Sequence, residues 1–207
     1  MTKTFSVFVF TNQDYFFKNQ ERLKTMEKDI KCVLVTNEQI NELCDRIAAQ
    51  ITEDYKNSDK KLVLVCILKG SLMFTSELMK RIKLPLEVEF MKASSYGSKT
   101  VSSGIINIHL DIKRDDMEDI DFIIIEDIID SGKTLSHLVR YLKERGAASV
   151  KTCTMLDKPE RRTIDLVPDY KGIVIPDEFV VGFGLDYAEK YRNLPYVGVI
   201  KPEVYSN

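Results

Sequence analysis

The chain is poor in several residue types that would define other protein classes. Its 207 residues include no Trp, two His, four Cys, six Pro and nine Gly. The cysteines, at 32, 44, 66 and 153, form no Cys-x-x-Cys pair, and two histidines do not complete a structural zinc spacing. In their apolar surroundings they read as small buried hydrophobes of a reducing compartment. An excess of one charge is also missing. Thirty Lys and Arg face thirty-two Asp and Glu, a formal net charge of −2. Nucleic-acid binders ordinarily carry a basic excess, so a general DNA or RNA partner is disfavoured. No apolar run nears the roughly eighteen residues of a membrane span. The apolar stretch Phe5 to Phe10 is too short for a signal-peptide core. These absences leave a cytoplasmic protein with no membrane and no nucleic-acid partner as the expectation.

What is there suits one globular domain. The composition is 44% hydrophobic and 30% charged. A chain of this size buries roughly 70% of the surface its unfolded form exposes, so no disulfide or metal staple is required. Residues 1–25 stand apart. They hold six of the nineteen Phe and Tyr residues (Phe5, Phe8, Phe10, Tyr15, Phe16 and Phe17) and little helical periodicity. They read as an extension ahead of a domain running from 26 to 207, with an extra edge strand as the alternative. Their deletion is expected to leave folding and activity intact.

The domain reads as alternating strands and helices. Thr36 and Gln39 have capping-box spacing, and Ile40, Leu43, Cys44, Ile47, Ala48 and Ile51 then trace one face at period 3.6. Leu62 to Leu68, Phe122 to Ile125 and Ser149 to Leu156 are apolar runs of strand length, as in strands buried on both faces. Leu86 to Met91 and the alternating Ile106, Ile108, Leu110 and Ile112 add two more strands. Leu135, Leu138, Val139 and Leu142 mark a helix that Gly146 is placed to end. Such alternation indicates an α/β fold with a mostly parallel central sheet flanked by helices. The segment from about Asp165 onward is more irregular and is expected to form a small lobe beside the strand ends.

The stretch from Phe122 to Thr134 carries the chemistry. A buried strand runs into two adjacent carboxylates, Glu126 and Asp127. A turn of Asp130, Ser131 and Gly132 follows, then Lys133 and a helix beginning near Thr134. In open α/β sheets, ligands bind at the carboxyl ends of the strands. A helix start offers unpaired N–H groups and a positive dipole end to a phosphate. Gly132 lets the backbone approach closely, and Ser131 and Thr134 add hydroxyl donors. The acidic pair would repel that phosphate, but it suits vicinal hydroxyls or a hard cation such as Mg²⁺. A phosphate loop after a diol-binding pair describes a ribose 5-phosphate ligand. Two other motifs fail on the letters. A Walker A loop ending in Gly132-Lys133-Thr134 needs glycine where Asp127 stands, and a dinucleotide fingerprint opening at Gly182 and Gly184 needs glycine where Tyr187 stands.

The 122–134 segment resembles the phosphoribosyl diphosphate (PRPP) motif of the type I phosphoribosyltransferases. Its wording is similar to that of the hypoxanthine-guanine members. Leu68-Lys69-Gly70 resembles their diphosphate-binding turn, and Ser95-Tyr96-Gly97 the start of their mobile loop. Asp157-Lys158 and Ile175 to Tyr187 resemble their purine site, and Tyr191 to Val199 their closing segment. The likeness spans Met26 to Ile200 in the family's order. It implies the type I phosphoribosyltransferase fold with a small C-terminal hood. Glu178 departs from the pattern, because basic residues are also familiar at that position.

The resemblance also implies roles. Asp130, Ser131, Gly132, Lys133 and Thr134 hold the 5-phosphate, and Glu126 and Asp127 the ribose hydroxyls. Lys69, Gly70 and Arg192 bind diphosphate, with the Leu68–Lys69 peptide cis. Arginine suits this task because its planar fork meets phosphate with two donors. Asp130 is the general base beside the purine nitrogen, work typically worth about 10²–10⁴-fold. Lys158 donates to the purine O6, Phe179 stacks on the ring, Val180 reads its edge with backbone groups, and Asp186 is grouped with this site while facing the metal and diphosphate side. Glu126, Asp127 and Asp186 face Mg²⁺. Ser95 and Tyr96 open a lid that excludes water. The implied reaction joins hypoxanthine or guanine to PRPP, giving IMP or GMP and diphosphate. Two alternatives stay open here: a regulator on the same fold that binds PRPP or nucleotide without turnover, and a transferase for another base, such as xanthine. A homodimer or homotetramer is expected.

Overall fold

The computed structural model describes residues 26–95 and 106–206. The expectations for residues 1–25 and for Tyr96 and Gly97 therefore lie outside the described residues. In chain order the elements are β1 (Ile30–Val35), α1 (Asn37–Tyr55), β2 (Lys61–Ile67), α2 (Leu72–Met79), β3 (Glu87–Ser95), β4 (Ile106–Leu110) and β5 (Ile120–Ile129). They continue with α3 (Lys133–Glu144), β6 (Ser149–Asp157), β7 (Ile173–Val174), β8 (Val180–Val181), β9 (Val197–Ile200) and the single turn α4 (Pro202–Tyr205).

Six strands form the main sheet in the order β4-β3-β2-β5-β6-β7. All its pairs are parallel except β3 with β4. Alternation along the central strands supplies two cores. Leu62, Leu64, Ile123, Ile125, Cys153 and Met155 pack with the apolar faces of α1 and α2. Val63, Val65, Ile67, Phe122, Ile124 and Val150 pack with Leu135, Leu138 and Leu142 of α3. Burial on both faces is why these strands read as unbroken apolar runs. The sheet is the mostly parallel, helix-flanked one the sequence indicates.

Local signals were accurate. Thr36 caps α1, its hydroxyl accepting from the Gln39 amide while the Gln39 side chain accepts from the Thr36 amide. The predicted apolar face of α1 is the buried one. Gly146 follows α3 with φ +92°, and the Ala147 amide donates back to the Leu142 carbonyl, closing the helix.

Two differences bear on the site. Strand β5 runs on to Ile129, so Glu126 and Asp127 sit within its last turns of pleat rather than beyond its end. The pairing of Glu126 with Thr154 and of Ile128 with Leu156 on β6 carries it that far. The small lobe is a second, antiparallel sheet, β1-β9-β8. Its β1 comes from the N-terminal side, a strand the sequence reading did not name, paired with β9 from Ile30↔Ile200 to Val35↔Val197. Of the segment after residue 165, β7 joins the main sheet while β8 and β9 build the hood.

Candidate active site

Because β2, β5 and β6 are parallel, their carboxyl ends share one edge. The segments that follow Ile67, Ile129 and Asp157 therefore converge there. The loop after β5 enters α3 through Gly132, whose φ of +81° is in the left-handed region that glycine tolerates. Gly132 offers no side chain to cap this helix start, and the Ser131 hydroxyl accepts from the Lys133 amide at 3.4 Å. A cavity of about 110 Å³ lies over it, lined by Glu126, Ile128, Ile129, Asp130, Ser131, Gly132, Thr134 and Leu135. The predicted phosphate residues thus surround one small space, with Lys133 exposed beside it.

The acidic pair divides. Glu126 lines that cavity. Asp127 packs on Gly70 so closely that a Cβ there would lie 1.5 Å from Asp127 Oδ2. Burial, and then the neighbouring Asp127 charge, push the Glu126 carboxyl well above the usual carboxylate range. Burial also pushes Asp127 up to about 6, outweighing its bond from the Ile128 amide and the pull of Arg192. Two half-buried carboxyls that resist ionisation favour a partner able to stabilise charge, such as hydroxyl donors or a hard cation.

On the other side of the strand edge is a cavity of about 450 Å³ lined by Ile128, Asp130, Lys158, Arg161, Asp177, Glu178, Phe179, Val180, Leu185 and Tyr205. Lys158 is buried at 7% exposure, and its ammonium donates to the Glu178 carbonyl at 2.8 Å. It also lies 3.6 Å from Asp177 and 3.9 Å from Asp130. Phe179 is 41% exposed. Tyr205 stacks on one face of its ring at 4.9 Å, and Tyr187 packs perpendicular to it at 5.7 Å. Glu178 pairs with Lys31 of β1 at 3.4 Å, joining this wall to the hood.

Lys69 and Gly70 follow a Leu68–Lys69 peptide that is cis. The hood presses on this turn: a Cβ on Gly184, where φ is +100°, would lie 2.0 Å from the Gly70 carbonyl oxygen. Arg192 donates to the Gly184 carbonyl at 2.8 Å and pairs with Asp186 at 2.7 Å. One Glu189 oxygen accepts from both Lys69, at 2.9 Å, and Arg192, at 3.3 Å. Both cations of the predicted diphosphate subsite are thus held together by one exposed carboxylate.

The structure brings Lys69, Gly70, Arg192 and Asp127 together, and separately Asp130, Lys158, Phe179 and Val180. Asp186 is not among the residues lining the cavity at Phe179. It pairs instead with Arg192, the side on which the resemblance also puts it. Nor does it complete a cage with Glu126 and Asp127: among the described residues no group of three or more His, Cys, Asp or Glu could hold a metal ion. The acidic pair still fits a partly hydrated hard cation that takes its remaining oxygens from a substrate, the usual habit of Mg²⁺. Ser95 ends β3. Sequence reasoning did not name Glu189, Arg161 or Tyr205, and it gave Asp177 and Gly184 no role of their own within the Ile175–Tyr187 segment. The Gly182–Gly184 spacing was the one visible signal, and it served contact with Gly70 rather than a nucleotide fingerprint.

Comparison with known proteins gives this geometry its context. A model of the phosphoribosyl transferase domain matches residues 34–188. The hypoxanthine-guanine phosphoribosyltransferase of Streptococcus pneumoniae is 52% identical over 182 residues, covering 88% of this chain and 99% of its own. The Staphylococcus aureus protein of the same name is 50% identical, over 88% of this chain and 100% of its own. A crystal structure of a Staphylococcus aureus hypoxanthine phosphoribosyltransferase superposes with a TM-score of 0.83 at 50% identity, over 88% of this chain and 98% of that one.

Proposed function

The chain belongs to the phosphoribosyl transferase domain family, and from that premise we propose that it joins hypoxanthine, and guanine, to PRPP, yielding IMP or GMP and diphosphate. One observation supports this reading most. The small cavity of the phosphate loop and the larger cavity under Phe179 share Ile128 and Asp130. Asp130 Oδ1 makes no hydrogen bond there and faces the Lys158 ammonium at 3.9 Å.

The roles follow from position. The loop Asp130 to Thr134 takes the 5-phosphate at the positive end of α3. Glu126 and Asp127 take the ribose hydroxyls. Lys69, Gly70 and Arg192 take the diphosphate, displacing the Glu189 carboxylate from its two cations. The base stacks on Phe179, with its O6 toward the Lys158 ammonium. A donor there suits a 6-oxopurine and meets the 6-amino group of adenine with another donor. As the bond from C1′ to the diphosphate oxygen breaks, the purine nitrogen bonds to C1′ and its proton passes to Asp130. Fixed cations around the leaving group stabilise the negative charge it gains. Mg²⁺, held by Glu126 and Asp127 with Asp186 on the diphosphate side, would supply further neutralisation of that charge.

The four free cysteines, three of them buried, support a reducing cytoplasmic setting. Among the described residues no helix is long and apolar enough to cross a membrane. Leu72 and Met79 on α2, Phe90 on β3 and Leu110 on β4 are exposed at 40–50%. They support assembly as a homodimer or homotetramer, which light scattering tests. The activity test is a spectrophotometric assay with PRPP, Mg²⁺ and hypoxanthine, guanine, xanthine or adenine in turn. Turnover of hypoxanthine and guanine that stops without Mg²⁺ is expected. Turnover of xanthine alone, or binding without turnover, would overturn the reading.

A further inference from the structure

The phosphate loop is held from behind by the segment that follows β6. Three successive carbonyls of the loop point outward into it. Ile129 O accepts from the Lys158 amide at 3.0 Å and faces Arg162 Nη2 at 3.5 Å. Asp130 O accepts from Arg162 Nε at 2.9 Å. Ser131 O accepts from the Thr163 amide at 3.2 Å and from its hydroxyl at 3.3 Å. In a trans peptide the N–H opposes the C=O. Fixing those three carbonyls outward therefore turns the amides of Asp130, Ser131 and Gly132 inward, toward the cavity they line. Among the described residues no loop hydrogen bond uses these three amides.

We infer that Arg162 is a positioning residue for the reaction, setting the amide donors of the phosphate loop by gripping its carbonyls from the outside. Its own fork is fully committed. Nη2 pairs with Asp157 at 2.5 Å, and Nη1 donates to the Leu166 carbonyl. Asp157 is itself nearly inaccessible, with Lys171 at 3.5 Å as its second cation. Arg162 Cδ also lies 3.1 Å from where a Cβ on Gly132 would sit, so the side chain fills the space behind the turn. A lysine would keep the charge beside Asp157 but could not serve four acceptors in one plane. Because the same segment begins at Lys158, the wall of the base cavity and the back of the phosphate loop are one piece of chain.

The inference rests on the proposed transfer reaction, so wild-type turnover is measured in the same series, and ribose 5-phosphate binding by calorimetry provides a readout independent of turnover. In Arg162→Lys the KM for PRPP is expected to rise about tenfold, the scale of one lost hydrogen bond to a charged group. Ribose 5-phosphate binding should weaken by a similar factor, with the KM for hypoxanthine at saturating PRPP unchanged. A folded variant with unchanged PRPP KM and ribose 5-phosphate affinity would overturn the inference, and so would equal rises in both KM values, which mark general loosening. If Arg162→Lys does not fold, Thr163→Val takes its place. It removes only the hydroxyl bond to Ser131 O, and a rise in PRPP KM of about threefold is expected. No change in that variant would refute the positioning role of the segment.

Discussion

Replacing Gly70 with alanine tests whether the Asp127 carboxylate and the diphosphate turn are set by mutual contact. The new Cβ would lie 1.5 Å from Asp127 Oδ2 and 2.6 Å from its Cγ. To reach ordinary contact near 3.4 Å, the carboxylate or the turn must retreat by about 1.9 Å. Neither is free to do so. Asp127 is fixed by β5 and its bond from the Ile128 amide, and the Gly70 carbonyl is pressed by Gly184. Overpacking of this kind costs about 1–3 kcal/mol. For a chain of this length that lowers Tm by roughly 2–12 °C. The catalytic cost is larger, because a misplacement of about 1 Å at a reacting group can cost 10²-fold. The assay is IMP formation with PRPP varied at fixed hypoxanthine, and kcat/KM for PRPP should fall at least about 10²-fold. Gly146→Ala is the control. It also has positive φ, but nothing lies within 4 Å of its Cβ, so it loses stability and keeps wild-type kinetics. A folded Gly70→Ala enzyme within threefold of wild type would refute the placement of Asp127 against this turn.

Other outcomes follow from the same geometry. Asp130→Asn should lower kcat by about 10²–10⁴-fold while PRPP binding, read by calorimetry, changes little; an unchanged kcat removes the base assignment. Tyr205→Ala frees the covered face of Phe179 and should raise KM for the base severalfold, since such ring pairs contribute about 0.5–1.5 kcal/mol; an equal change in the KM for PRPP would show that the loss is not local. Asp127 has its folded pKa pushed up from 3.8 to about 6. A raised carboxyl is neutral in both states below the unfolded pKa, and its stability contribution is lost as pH rises through the folded one. The stability advantage of ligand-free Asp127→Asn over wild type should therefore grow between pH 4 and pH 7.5 by roughly 2 kcal/mol. Relief of Glu126 adds in the same direction. Denaturant midpoints giving the same advantage at both pH values would rule this out.

The sequence by itself determined what neighbours along the chain can specify. The 3.6-residue stripe and capping box of α1, the apolar runs of β2, β5 and β6, and the glycine ending α3 each depend on contacts within one element. The turn from Asp130 to Thr134 was equally visible as a pattern, because strand end, turn and helix start are consecutive. Tertiary structure decided the rest. Lys69 meets Glu189 across 120 positions, and Lys31 meets Glu178 across 147. No local pattern placed β1 in the hood, sent Glu126 and Asp127 to different partners, or put Arg162 behind the loop it grips. Those relations arise when parallel strands bring their ends to one edge and the hood closes on them. A side chain's role there depends on which separate segment lies a few ångströms away, and residue order alone does not fix that distance.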